Sequence, residues 1–313
     1  MDKKKAFLYT FFGACCWGLA GCFGEYLLVE KNLDPMWIVN VRLLLAGILL
    51  LGFALRSQSK EIFLIFHDKK DRIQLFWFAC LGLATCQATY FIAIQHSNVA
   101  TATVIQSLNP LVIIIYLALV TRKMPKTMEI LAIVVAFTGV FLLSTKGDIS
   151  SMVLSQFGLF SALVSAGCVA AFSLLSRRLL QKFGSNIAIG FGMLLGGIAL
   201  TPFVRFWEVH IDWDLATFGA MAGVVVLGTA MSFTFFLKGV SVIGSFMGSL
   251  IGMVEPVIAV VVSVMIFGHH FTMIEFFGFI LILGAVLGLT IYTKKLEEKE
   301  KEKESPKELP IEK

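Results

Sequence analysis

The chain has 313 residues, of which 58% are apolar and 15% charged, and its mean hydropathy is +0.85. An ordinary soluble domain is roughly 45–50% apolar and about 25% charged, so this composition excludes a soluble enzyme, whose surface so few charges could not cover. The charges are also unevenly spread: residues 294–313 alone hold seven Lys and seven Glu. The class that remains is an all-α integral membrane protein.

A crossing helix needs about 20 mostly apolar residues, because the bilayer core offers backbone groups no partner outside the helix. On that length the sequence predicts ten spans, at 6–29, 36–55, 73–94, 100–120, 127–145, 156–176, 187–204, 215–237, 243–267 and 273–293. The connections are too short for a soluble catalytic domain. The only formal charges inside the spans are Glu25, Arg42, Glu129, Glu255 and Glu275, and no histidine falls within them.

In chain order, the first span places Trp17 among Gly13, Gly18 and Gly21, which leave space for it to line a cavity, and puts Glu25 near the span's far end as a candidate gate. Arg42 lies about 10 Å into the second span at 1.5 Å per residue. It either meets an anion, a substrate carboxylate or Glu25, or snorkels outward. Tyr90 in the third span, Phe172 in the sixth and Phe236 in the eighth, beside Phe233 and Phe235, are candidate pathway aromatics whose other reading is lipid contact or gap filling. The fourth span carries Gln106, Asn109 and Pro110.

The ninth span carries Gly244, Gly248 and Gly252, a small-residue ridge for helix packing, followed by Glu255 and Pro256. Prolines at 110 and 256 predict kinks that free the carbonyls of Gln106 and Gly252, with Gly252 in the hinge. A carboxylate as deep as Glu255 is costly in lipid and marks a functional position, either coupling a proton or binding a cationic group. The alternative is a structural acid tied to a freed carbonyl. Glu129 and Glu275 stand third in their spans, where a negative charge meets the favourable end of the helix dipole.

With the N-terminus cytoplasmic, 22 of the 26 Lys and Arg fall on the cytoplasmic side, as the positive-inside rule requires. Both termini are therefore expected in the cytoplasm. The net charge of +5 then reports topology, and no nucleic-acid partner is indicated. The length of the first span predicts no cleaved signal. The six Cys lie inside spans without a CxxC pair, His96, His210, His269 and His270 fall in predicted external loops, and neither a metal site nor a cofactor is expected. The tail 294–313 reads as a solvated helix extension fraying into disorder.

Shifting the sequence by 146 residues aligns Gly21 with Gly167, Cys22 with Cys168, Gly82 with Gly228, Asn109 with Glu255, Pro110 with Pro256 and Glu129 with Glu275. Spans one to five fall on six to ten, and an odd number of spans per copy implies opposite insertion, the inverted repeat of many secondary transporters. The segments NPLVIIIYLALVTRKMPKTMEILAIVVAFTGVFLL at 109–143 and EPVIAVVVSVMIFGHHFTMIEFFGFILILGAVLG at 255–288, with WGLAGCFGE and DPMWIVNVRLLLAG nearer the N-terminus, resemble the EamA-type transporters of the drug/metabolite transporter superfamily. The resemblance covers roughly residues 6–293 and implies two repeats, 6–145 and 156–293, around a central cavity, with 1–5 and 294–313 as cytoplasmic tails and 146–155 as an external linker.

It also implies export of small metabolites, commonly amino acids or related amphiphiles, across the cell membrane by alternating access, with membrane lipid as surroundings and protons as candidate coupling ions. Arg42, Asn109, Pro110, Glu255 and Pro256 match the family pattern. The acid that family members often carry after spans four and nine is replaced by Arg122 and His269. Alternatives are a nucleotide-sugar or lipid-linked sugar transporter and a non-transporting scaffold. Monomer and homodimer both stay open.

Overall fold

In the computed structural model, residues 2–58, 62–146, 154–204, 209, 211 and 213–304 are described. His210, Arg205 and the last nine residues of the tail, 305–313, lie outside them. Among the described residues, ten helices are long and apolar enough to cross a membrane: α1 (Lys3–Val29), α2 (Pro35–Arg56), α3 (Lys69–Gln95), α4 (Val99–Thr121), α5 (Thr127–Thr145), α6 (Gln156–Phe183), α7 (Ser185–Phe203), α8 (Leu215–Ile243), α9 (Phe246–Phe267) and α10 (Met273–Leu296). The helix of α10 runs on to Glu304. This is a multi-pass membrane protein.

Several boundaries move for local reasons. Helix α3 starts at Lys69, ahead of the expected 73, because the Asp68 side chain accepts the backbone N–H of Lys70 at 3.1 Å. Helix α6 continues past 176 to Phe183, since its last turns carry Arg178 and Lys182 to Asp71 on α3, at 2.9 and 2.5 Å. Helix α8 continues to Ile243 and stops at Gly244, whose φ of +84° ends one helix and begins the next. Gly244 therefore does not belong to a packing ridge as expected: a Cβ there would meet nothing within 4 Å, whereas one on Gly248 would lie 2.6 Å from Val240. Its role is conformational, and Gly244→Ala should cost about 1 kcal/mol or more in strain, seen as a lower Tm in detergent.

The prolines do not kink continuous helices. Instead α4 stops at Gln106 and restarts at Asn109, and α9 stops at Gly252 and restarts at Val254, so that each proline opens the second segment. Proline's fixed φ and missing N–H suit a first turn better than a helix interior. Ser107 (φ −65°, ψ −6°) and Met253 (φ −67°, ψ −5°) have nearly the same backbone, 146 residues apart. The same offset relates the π-helical stretches Phe78–Thr85 of α3 and Gly223–Met231 of α8, and the left-handed residues Arg122 and Gly268 that end α4 and α9.

Helices pair as α2 with α7, α5 with α10, α1 with α8 and α3 with α6. Small residues set these close approaches: a Cβ on Gly47 of α2 would lie 2.7 Å from the backbone nitrogen of Leu194 on α7. Backbone cannot yield as a side-chain tip can, so Gly47→Val is expected to cost roughly 1–3 kcal/mol. An unchanged melting temperature would refute the tight α2–α7 seam.

At the end of the bundle bearing Val29 and Phe267, here the distal end, Lys31 pairs with Asp214 at 2.5 Å and Lys146 with Glu275 at 3.3 Å. Hydrogen bonds from Lys31, and next from the Thr217 backbone, hold the Asp214 carboxyl well below the usual range, while Asp214 pushes Lys31 up. A lowered carboxyl contributes above its ordinary value and loses that contribution only as pH falls through the folded one; a raised lysine contributes below its ordinary value and beyond it up to the folded one. The pair should thus persist across about pH 5–9. Wild type and Asp214→Asn should show a constant difference in Tm over that range, and a difference that vanished inside it would contradict the assignment.

Candidate functional site

Arg42 does not snorkel. It is 5% exposed and turns into the bundle, where Nη2 donates to the Gly228 carbonyl at 2.9 Å, Nε to Thr229 Oγ1 at 3.2 Å and Nη1 to Gln87 Oε1 at 3.2 Å, with the guanidinium 5.7 Å from the Phe91 ring centre. Gly228 and Thr229 lie in the π-helical stretch of α8, where widened backbone spacing aims a carbonyl sideways. Arg42 thus ties α2 to α8 and α3. A lysine cannot serve three acceptors arranged around a planar fork, so Arg42→Lys is expected to cost about 2–3 kcal/mol. A variant as stable as wild type would show that these bonds do not hold α2 to α8.

Beside this cluster, the Gln106 side-chain amide donates to Ser165 Oγ at 2.6 Å and the Ser165 hydroxyl donates to the Cys86 carbonyl at 3.2 Å, joining α4, α6 and α3. Asn109 Nδ2 reaches the Gln106 carbonyl at 3.4 Å, so the carbonyl exposed at the α4 break is met by a side chain of the following turn. The Tyr90 hydroxyl is bonded to Thr103 Oγ1 at 2.7 Å in a buried contact, and a Cβ on Gly21 would sit 2.8 Å from it. Tyr90 therefore closes the α3–α4–α1 seam.

Glu255 opens the second segment of α9, partly buried, with Pro256 fully packed after it. Its backbone carbonyl lies 2.8 Å from where a Cβ on Gly18 would stand, so α1 passes directly against the break. Arg42, Tyr90 and Cys86 are within electrostatic reach of its carboxyl. No hydrogen bond or ion pair holds that carboxyl among the described residues. One turn earlier, a Cβ on Gly252 would stand 3.6 Å from the Phe236 ring. Phe236 stacks obliquely on Trp17 with ring centres 4.7 Å apart, Trp17 meets Phe233 edge-on at 5.1 Å, and Phe233 reaches Phe172 at 6.3 Å. Trp17, Phe172 and Phe236 thus share one aromatic wall.

Glu25 is not Arg42's partner. Only 1% exposed, it accepts the Val99 N–H at the start of α4 through Oε2 at 2.9 Å and bonds His269 Nε2 through Oε1 at 2.6 Å. Three elements meet on one buried carboxylate at the distal end. Positions 146 residues away, Ala171 and Lys123, offer no such pair. Consistently, the distal half of α9 packs on the first segment of α4, while the opposite halves of these two helices form no comparable contact.

A separate apolar groove of about 450 Å³ lies between α1, α8 and α9, lined by Phe23, Tyr26, Gly219, Val262 and Phe267 among others, and none of the polar cluster borders it. No group of three or more His, Cys, Asp or Glu able to hold a metal occurs among the described residues.

The EamA-like transporter family matches residues 4–145 and 156–291, leaving only the tails and a short linker unmatched. The chain belongs to the EamA-like transporter family. It is a transporter and not an enzyme. Similar proteins include the uncharacterized inner membrane transporter YicL of Salmonella typhimurium, 31% identical over 294 residues that cover 94% of this chain and 98% of the relative. The uncharacterized transporter YwfM of Bacillus subtilis is 23% identical over 297 residues, covering 94% and 96%. A crystal structure that covers 95% of this chain and 100% of its own superposes with a TM-score of 0.62 at 17% identity, a likeness of fold.

Four residues bonded within these clusters of the EamA-like protein are not among the candidates that the sequence marks: Gln87, Thr229, Ser165 and His269. The first three are polar side chains inside apolar spans, a signal available in the sequence. His269 lies in a turn between spans, and only the fold brings it to Glu25.

Proposed function

We propose that this EamA-like protein exports small amphiphilic metabolites, amino acids or their relatives, across the cell membrane by alternating access, with residues 6–145 and 156–293 as inverted copies and both termini cytoplasmic. The observation that carries the reading is the pair of interrupted helices: α4 and α9 break at matched positions, and the breaks present Asn109 in one copy and Glu255 in the other. Discontinuous helices near the midplane are where secondary transporters place substrate and coupling ions. An amide on one side and a single acid on the other give the pathway one titratable group.

In this reading Trp17, Phe172 and Phe236 line the substrate path, and Gln106, Asn109 and Glu255 supply its polar contacts. Tyr90 and Arg42 stiffen the walls, Pro110, Gly252 and Pro256 form the hinges, and Gly248 seats α9 against α8. Glu255 exchanges a proton for the substrate's cationic group, so that a proton entering from outside drives export. Glu25, with His269, is the distal gate, closed here. Arg42 is the only Lys or Arg within the ten predicted spans, and its commitments to Gly228, Thr229 and Gln87 weigh against a phosphorylated sugar as cargo. The test is uptake and counterflow in proteoliposomes against a metabolite panel, with and without a pH gradient. Saturable flux of at least one small amphiphile is expected; folded protein with none would sink the proposal.

A further inference from the structure

We infer that the midplane site takes an amphiphilic organic cation, an aromatic amine without a carboxylate, in preference to the corresponding amino acid. This rests on the transporter reading and narrows its substrate. The Glu255 carboxyl is partly buried and no described residue bonds it. The aromatic wall of Trp17, Phe233 and Phe236 reaches the same break through Gly252. A carboxyl and an aromatic wall at one helix break can together receive an ammonium group, because both the charge and the ring quadrupoles attract a cation.

A substrate carboxylate finds no such partner. Arg42 grips carboxylates through two-point forks, but its Nε and Nη2 are bonded to Thr229 and Gly228, its Nη1 to Gln87, and the side chain is 5% exposed. No other Lys or Arg and no His falls within the predicted spans. The amides of Gln106 and Asn109 are turned to Ser165 Oγ and to the Gln106 carbonyl. An amino acid would therefore carry its carboxylate into the middle of the membrane with no free cation to compensate, a cost that the amine alone avoids.

The experiment compares tryptamine with tryptophan, and tyramine with tyrosine, in counterflow by the full chain in proteoliposomes, with protein-free vesicles subtracted. Thermal-shift binding in detergent provides a second readout. The amines are expected to show saturable counterflow and to exceed their amino acids by about tenfold or more. Glu255→Gln should lose the amine-induced thermal shift while Glu255→Asp, which keeps the charge, retains it; the Asp variant carries the test if the Gln variant does not fold. Equal or faster flux of tryptophan and tyrosine overturns the amine preference and leaves the transporter standing. Flux of some other metabolite with both amines silent overturns it too. No saturable flux for any panel member overturns both readings together.

Discussion

Glu255→Gln is expected to abolish accumulation driven by a pH gradient, bringing it to the level of protein-free vesicles, while counterflow survives at higher substrate concentration. The carboxyl is the one acid in the middle of any predicted span, and it opens a helix segment where α1 passes within contact of the backbone. If it holds a proton and a substrate cation in turn, the amide, which can neither release a proton nor pair with a cation, severs the exchange but keeps nearly the same side-chain shape. Counterflow needs only substrate exchange and so persists, weakened by the lost charge contact. Transport measured with and without the gradient separates the two effects. A Gln variant that accumulates substrate as wild type does would remove Glu255 from coupling.

His269→Ala and Glu25→Gln form the second large expectation. Removing one partner of a buried hydrogen bond leaves the other unsatisfied at a cost of about 1–3 kcal/mol, and the Glu25–His269 bond at 2.6 Å joins α1 to the α9–α10 turn. If that bond holds the distal end shut, a loss of about 2 kcal/mol moves the closed-to-open ratio by roughly 30-fold. A single cysteine placed at Val99, whose N–H lies on the same carboxylate, should then react with a membrane-impermeant maleimide much faster in either variant. Global loosening would also expose the opposite end. A second reporter beside Asp71, buried under Arg178 and Lys182, should stay unreactive. Equal labelling at both sites would show unfolding instead of gating, and unchanged labelling at Val99 would show that Glu25–His269 is not a latch.

Much of the architecture was legible in the chain because a bilayer imposes length and polarity on each helix separately. The ten spans, the rarity of charge within them and the offset of 146 all follow from the chain itself, and boundaries shifted where a cap or an ion pair extended a helix, as at Asp68 and Arg178, or where Gly244 ended one. The site was legible as a set of expensive residues, and Glu255, Asn109 and Arg42 were marked by cost alone. Their partners were not. Arg42's acceptors depend on the π-helical turn at Gly228, which requires α8 to be seated against α1 and α2, and nothing in residues 223–231 taken alone announces it. The prolines mark where each helix is interrupted and where the Gln106 carbonyl is freed, but a kinked helix and a restarted one share the same local pattern and differ in how neighbouring helices meet the break.

What the sequence determined by itself was class and repetition: hydropathy and spacing act along the chain, and each span answers to the membrane before it answers to its neighbours. What only the tertiary structure decided was pairing. Glu25 and His269 stand 244 residues apart, Arg42 and Gly228 are separated by 186, and which buried polar group finds a partner and which does not depends on helices that meet only after folding. That division leaves Arg42 bound within the wall and the Glu255 carboxyl without a bonded partner among the described residues.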